Sequence, residues 1–520
     1  MTALLLAVEL ADGLVRAAAF DEFGRIAACG EQPIETQRPA DGHAVLRMDG
    51  VWHAVGGAVH ACLAGDPALG MRVVGLGFAA TTALVLECDG AAPFANGADT
   101  FGPTDRRALA EAAEINAGGD RWLDHRGGAV PPESNLARLA WLKRHDPAAW
   151  ARLRTVRDLC DELARRATGV EAHAQASLTT QFPYLPQEVP PWREGLLAAL
   201  DLAELPGLGA LSGIAVPPGG MHGTLLPDVA AFFGLPPGIP VAAGLVDAHA
   251  GLLGTIGRGV AGRAENTAVL VGGAATALLA LSPEERLIPG IEGPFRDALF
   301  PGLFLYQAMQ PCAGTALDAV LARHGIGGHE AVAAEILAAL DAEGAGFAAR
   351  RHVVPDFLGN RAPLNDATLG ALATGIRAEG GHRAGLEAYY ATARGLALQL
   401  RQVIGHFNAN GFAISRVALG GAQSGNPLLE RLYRDALGGL VVSSAAQPVL
   451  LGVAMAAAVA AGIHPSLAIA VDRMAPPQIR LAPDPFWRRA HDAAFGIYLR
   501  LCAARDAAAF DADALAGLAR

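Results

Sequence analysis

Gly244-Leu-Val-Asp-Ala-His-Ala-Gly-Leu-Leu-Gly254 is the stretch on which the fold turns. It follows a proline-rich turn and a short apolar run, residues 239–243, of the kind that forms a buried strand. Glycines bracket one carboxylate, Asp247, and one imidazole, His249. A carboxylate at the end of a buried strand, beside small residues, can sit on a cleft floor where a substrate approaches closely. It can equally charge or cap the first turn of a helix that begins there. Spacing alone leaves both roles open.

The rest of the chain narrows the class. At 520 residues it exceeds one ordinary core, so at least two domains are expected. Hydrophobic residues make up 52% and charged residues 18%, the balance of a globular chain with large buried surfaces. The net charge of −11 and the absence of a basic run argue against nucleic acid as a partner. Six scattered cysteines form no metal-binding pair and suit reduced thiols in a cytosol. The apolar start, residues 1–10, lacks a basic leader and is too short to span a bilayer. The expectation is a soluble cytoplasmic protein with no membrane partner.

In order, residues 4–10, 15–20 and 25–29 read as an antiparallel meander joined by tight turns. A helix over 51–63 follows, then strands over 73–78 and 83–88, and a helix over 156–166. The proline-rich segment 182–192 reads as a surface excursion. After residue 254 the pattern restarts, with strands over 267–271 and 276–280 joined by Gly272-Gly273-Ala274-Ala275. A strand–turn–strand unit thus opens each half, a weak internal repeat of two similar domains. A long helix over 386–408 leads to a strand over 417–419, the loop Gly420-Gly-Ala-Gln-Ser-Gly-Asn-Pro427 and a helix over 428–437. The helix over 449–461 is alanine-rich and suited to very close packing, and the tail 485–520 reads as helical.

Strand, glycine turn and helix is the layout that holds a phosphate, because backbone N–H groups and the helix dipole point at the ligand. The 420–427 loop fits it, although no P-loop lysine pattern or dinucleotide fingerprint is present. Three blocks, 244–254, 352–370 (His-Val-Val-Pro-Asp-Phe-Leu-Gly-Asn-Arg-Ala-Pro-Leu-Asn-Asp-Ala-Thr-Leu-Gly) and 417–429, together resemble the FGGY carbohydrate kinase family, most closely its D-ribulokinase and ribitol kinase branch. The resemblance implies an α/β chain with the two-domain actin/hexokinase/Hsp70-like (ribonuclease H-like) fold and an interdomain cleft. It places the sugar-side domain at 1–243 and the ATP-side domain, with its helical tail, at 244–520. It implies ATP and Mg²⁺ as cofactors, a small sugar or polyol as substrate, and homodimers as common.

Carried over residue by residue, the resemblance puts Asp247 on the catalytic base and leaves His249 a structural hydrogen bond. It puts Gly420, Gly421, Ser424 and Asn426 on the adenosine loop, Gln310 and Gly314 on the ATP side of the cleft, and Gly272, Gly273 and Thr276 on the second phosphate hairpin. Thr81, Asp105, Arg107 and Glu133 fall on the sugar side, and Asp356, Asn360, Arg361 and Asp366 on a loop that buttresses the cleft. The first phosphate and Mg²⁺ hairpin has diverged: Glu9, Asp12, Gly13 and Arg16 stand where an Asp-x-Gly-Thr pattern is expected, with Glu9 the candidate metal ligand. In the second hairpin Ala274 replaces a hydroxyl; on the sugar side Ala79 replaces an aspartate, Gln181 a lysine and Gln307 a glutamate. Two functions follow: an ATP-dependent kinase of a pentulose or pentitol hydroxyl, and a catalytically weak or inactive homologue that binds nucleotide or sugar in a regulatory role.

Overall fold

The computed structural model describes residues 3–11, 13–66, 68–376, 380–421, 423–443 and 447–517. Two seven-stranded mixed sheets form its frame. In the first, Ile26–Pro33, Leu14–Asp21, Leu4–Ala11, Val73–Ala80, Pro240–Ala242 and Met221–Thr224 lie side by side in that order, and Leu245–Val246 also pairs with Val73–Ala80. In the second the order is Glu292–Arg296, Phe304–Gln310, Thr276–Ser282, Thr267–Gly272, Arg416–Gly421, Leu440–Ser443 and Gln478–Leu481. The first sheet from Ile26–Pro33 and the second from Phe304–Gln310 run identically: antiparallel, antiparallel, parallel, parallel, antiparallel. The strand–turn–strand repeat in the sequence is therefore the hairpin at the centre of each of two like sheets.

Most elements lie where periodicity predicts. Residues 156–166 differ: the helix there starts only at Leu159, and Leu153–Asp158 is a strand paired with Leu84–Cys88. The run Leu153-Arg-Thr-Val alternates in a way that suits a sheet edge, and Asp158 accepts from the Cys160 N–H, so the strand ends on a helix cap. The tail is a single helix, Pro485–Gly517, and residues 518–520 of that expectation lie outside the described residues. No described helix is long and apolar enough to cross a membrane.

What joins the sheets is a pair of helices, Asp247–Thr255 and Pro448–Ala460, packed backbone to backbone. A Cβ on Gly254 would lie 1.8 Å from the Pro448 carbonyl oxygen, and one on Gly452 would lie 1.9 Å from that of Ala250. Only glycine permits such an approach. The alanine-rich helix also lies against the first sheet, where Gly75 and Gly77 face Ala457 and Val453. Leu5, Ala7, Ala79, Leu252, Leu253, Val269, Leu279, Val453 and Ala457 thus belong to one buried apolar core shared by both sheets.

Candidate active site

Asp247 is the first residue of its helix, immediately after the strand Leu245–Val246. That strand pairs with Ala79 and Ala80, which pair on their other side with Glu9 and Leu10. The ends of three strands therefore bring Asp247, Thr81 and Glu9 to one rim. The Thr81 hydroxyl donates to Asp247 Oδ2 at 2.6 Å, and the Ala248 N–H donates to Oδ1 at 2.6 Å. Both oxygens are thus oriented by donors, while the residue remains partly exposed. The carboxylate serves the helix start and the rim at once.

Two further carboxyls sit behind it. Asp158 is fully buried, its Oδ2 without a hydrogen-bond partner. Burial, then the charges of Asp161 and Asp247, push its carboxyl up to about 8. Its place at the end of a buried strand repeats the logic that singles out Asp247 in the sequence. Glu292, which no sequence signal marked, sits opposite Gln307 in the second sheet. It accepts from Gln307 Nε2 at 2.6 Å, Arg126 at 3.1 Å and Arg361 at 2.9 Å. Burial opposes its charge, but Arg126 and Arg361 prevail and hold the carboxyl at about 2. Gln307 Oε1 lies 3.3 Å from His249 Nε2, and burial takes that imidazole down to about 4. His249 is therefore neutral near pH 7, in a buried chain of side chains on the helix that begins at Asp247.

The block at 355–370 forms a hydrogen-bonded loop. Asp356 accepts from Asn360 and Gln399 and pairs with Arg505; Asp366 accepts from the Thr368 N–H and hydroxyl. Its Asn365 side chain reaches across the cleft and donates to the backbone carbonyls of Arg126, Gly127 and Ala129.

On the second sheet the glycines converge. Gly272 pairs with both Thr276 and Gly421, and a Cβ on Gly421 would meet the Gly272 carbonyl oxygen at 2.4 Å. Gln423 donates to Thr276 Oγ1 at 3.0 Å and accepts from the Tyr433 hydroxyl at 2.8 Å, stitching hairpin to loop. Gly314 opens a helix against Gly273, whose carbonyl its N–H reaches at 3.2 Å. Asn426 caps the helix Pro427–Leu437, and Ser424 closes the loop onto the Gly421 carbonyl at 2.7 Å. Gln310 is buried and donates to Gln399 and the Leu396 carbonyl, so it braces the helix His382–Ala409. Gly420 abuts Thr255, the last residue of the helix that carries Asp247.

The remaining sequence candidates separate into two kinds. Asp105 is buried and grips Arg107 through two hydrogen bonds of 2.6 and 2.8 Å; Arg107 lies among the rings of Phe94, Phe101 and Trp141. That pair is consumed in shaping the loop. Glu133 instead faces Arg106 at 3.2 Å, both partly exposed, and its Oε2 has no partner. In the first hairpin Arg16 reaches Glu9 at 3.4 Å, Gly13 takes the left-handed turn at φ 79°, and Asp12 lies outside the described residues. Among the described residues no three His, Cys, Asp or Glu side chains gather to hold a metal ion.

Two like sheets, a helix between them that begins at Asp247 and a glycine-lined rim have a counterpart among known families. The model for the N-terminal domain of the FGGY family of carbohydrate kinases matches residues 5–254, and that for its C-terminal domain matches 268–461. The chain belongs to the FGGY family of carbohydrate kinases. The human FGGY carbohydrate kinase domain-containing protein is 29% identical over 532 residues, covering 95% of each chain. The Saccharomyces cerevisiae D-ribulokinase YDR109C is 26% identical over 484 residues, covering 83% of this chain and 68% of that protein. The crystal structure of xylulose kinase from Rhodospirillum rubrum superposes with a TM-score of 0.73 at 20% identity, over 98% of this chain and all of that one. That likeness is one of fold. The kinases of this family take their phosphate from ATP.

Proposed function

We propose that this FGGY kinase phosphorylates a hydroxyl of a pentulose or pentitol, with Asp247 as the general base. The observation that carries the proposal is the pair of short donors on Asp247, from Thr81 and from Ala248, at the rim of a two-sheet cleft. A carboxylate so held presents a fixed lone pair to a substrate O–H, which is what proton abstraction during in-line attack on a γ-phosphate requires. The helices that start at Gly314, against Gly273, and at Pro427, after the glycine loop, turn their positive ends to this side, which favours a phosphate there. Glu133, paired with Arg106 at 3.2 Å, and Thr81 are the residues this reading assigns to the sugar side. The pentulose assignment follows the D-ribulokinase named above.

Mg²⁺ fits the donor chemistry. Glu9 and Asp247 are hard oxygen ligands at the ends of strands that flank Val73–Ala80, and Mg²⁺ takes one or two protein carboxylates and completes its shell with water and phosphate oxygens. When bound, it would neutralise charge on the transferred phosphate; Glu9 would be its first protein ligand, in exchange for its contact with Arg16. The competing reading is a non-catalytic homologue that binds nucleotide or sugar in a regulatory role. It is favoured by that contact, which ties up the buried Glu9 carboxylate in the hairpin that should meet phosphate.

Titration with Mg·ATP, followed by a screen of pentuloses and polyols for ADP release, separates the two. Turnover with at least one five-carbon substrate is expected, and Asp247→Ala should lower kcat by at least roughly a thousandfold while nucleotide affinity holds. Nucleotide binding without turnover on any sugar would establish the regulatory reading. Full turnover by Asp247→Ala would remove this residue from the mechanism.

A further inference from the structure

The second half of the chain holds a buried polar run that the proposed chemistry leaves unused. It begins on the C-terminal helix Pro485–Gly517, beyond residues 268–461, where the family model for the C-terminal domain matches. Trp487, Tyr498 and Cys502 of that helix share an apolar core with Leu396, Leu400 and Val403 of the helix His382–Ala409. From the same tail, buried Arg505 pairs with the buried carboxylate of Asp356. Asp356 Oδ1 accepts from Gln399 Nε2 at 2.6 Å and from Asn360 Nδ2 at 3.1 Å. Gln399 Oε1 accepts in turn from Gln310 Nε2 at 2.8 Å, and Gln310 also donates to the Leu396 carbonyl at 3.0 Å. Gln310 stands opposite Thr276 in the sheet, and Thr276 Oγ1 accepts from Gln423 at 3.0 Å. Gln399, Gln310, Thr276 and Gln423 are all buried. The run therefore joins the tail to the hairpin at 272–276 and the glycine loop beyond it.

The run has a direction. An ionised carboxylate only accepts, and each glutamine amide has one accepting and one donating end. Asp356 therefore turns the NH₂ of Gln399 towards itself, which leaves Gln399 Oε1 for Gln310 and fixes the Gln310 amide as well. A buried carboxylate stays ionised when a cation is paired with it and neutralises otherwise. Arg505 is that cation, with its Nε and Nη2 turned to Asp506 on its own helix at 2.9 and 2.7 Å. Without Arg505, Asp356 takes up a proton and becomes a donor, the Gln399 amide must turn, and Gln310 loses the acceptor that holds it.

We propose that Arg505 is a positioning residue for the nucleotide, acting through Asp356, Gln399 and Gln310 on the hairpin at 272–276. The proposal rests on the reading of that hairpin as part of the nucleotide side of the cleft. A helix near the end of the chain thereby sets the affinity of a hairpin in its middle.

The test uses the full chain and two readouts. A non-hydrolysable ATP analogue is titrated calorimetrically, and hydrogen exchange is followed by mass spectrometry over the peptide that contains 272–276. Arg505→Gln should bind the analogue about tenfold more weakly and exchange faster at 272–276, and Arg505→Lys, which keeps the charge, should recover part of both. Gln399→Leu cuts the run and leaves the ion pair in place. It should lose about as much, and the double variant should lose little more than either alone. Tyr498→Phe removes the tail's hydrogen bond to Gln402, at 3.2 Å, and should move neither readout, which separates the run from general loosening of the tail. Should Arg505→Gln fail to fold by circular dichroism, Gln399→Leu decides alone. Equal analogue affinity in wild type and in the folded variants, or unchanged exchange at 272–276, would overturn the positioning role and leave the hairpin as the nucleotide side. No analogue bound by the wild type at millimolar concentration would instead sink the nucleotide reading, and the proposal with it.

Discussion

Replacing Gly254 by alanine tests whether Asp247, the proposed base, is positioned by the packing of its helix. The added methyl carbon would lie 1.8 Å from the Pro448 carbonyl oxygen. A carbon–oxygen contact needs about 3.3 Å, so the two helices must part by about 1.5 Å. No rotamer relieves this, because both partners are backbone. Helix propensity works the other way and favours alanine by up to about 1 kcal/mol. Overpacking of this kind costs about 1–3 kcal/mol, so destabilisation wins. In a domain of this size that lowers Tm by roughly 2–4 °C per kcal/mol. The larger effect is on catalysis. Asp247 lies seven residues up the same helix, and a 1 Å misplacement of a reacting group costs about a hundredfold in rate. Gly251→Ala is the comparison: it lies on the same helix with the same propensity gain, but its methyl would meet the Val271 side-chain methyls at 2.7 and 2.8 Å rather than a backbone carbonyl at 1.8 Å, a milder clash. The assay is kcat and both KM values beside thermal melts of the two variants. Gly254→Ala should lose at least tenfold in kcat with little change in the KM for ATP, and Gly251→Ala much less. Equal melting and equal kcat for Gly254→Ala would refute the claim that this contact sets the base.

Two further outcomes concern the buried chain beneath it. Glu292→Gln leaves Arg126 and Arg361 without their counter-charge and should cost about 3 kcal/mol in urea unfolding; a loss below about 1 kcal/mol would show that the network is dispensable. The native Glu292 carboxyl lies below its unfolded value, so its contribution is complete above about pH 4.5 and is lost as pH falls towards about 2. His249 is likewise lowered, to about 4. The unfolded chain therefore takes up that proton first, and stability should fall by about 3 kcal/mol as pH drops from about 6.5 to about 4, then level off. A His249→Gln variant should show a flatter dependence of Tm on pH over that window, and an unchanged slope would contradict a buried neutral imidazole.

Local pattern carried much of this architecture. The two hairpins, the glycine loop at 420–427 and the helix start at Asp247 are contiguous in the chain and so are legible in the sequence. Their partners were not. Glu292 meets Arg126 from 166 residues away, and Asn365 grips the 126–129 backbone across 236 residues or more. Ordinary glutamates and asparagines give no sign of such pairing. Asp105 and Arg107 illustrate the opposite error of scale: they stand two apart and satisfy each other, which leaves Arg106 and Glu133 to face outward. The end of the strand Leu153–Asp158 reads as helix from residue 156 because a strand that ends on a helix cap has the same apolar content as the helix that follows it.

The shared floor between the sheets has a consequence for synthesis. The first sheet contains strands complete by residue 246, yet the helix that covers Gly75 and Gly77 spans Pro448–Ala460. A ribosome must add some two hundred residues between the two. Until then Leu5, Ala7 and Ala79 present an open apolar face, and the nascent first half waits with its central hairpin formed and one side uncovered. Fragments ending near residue 260 should therefore be sticky and short-lived alone, and should recover solubility when the remaining half is supplied in trans.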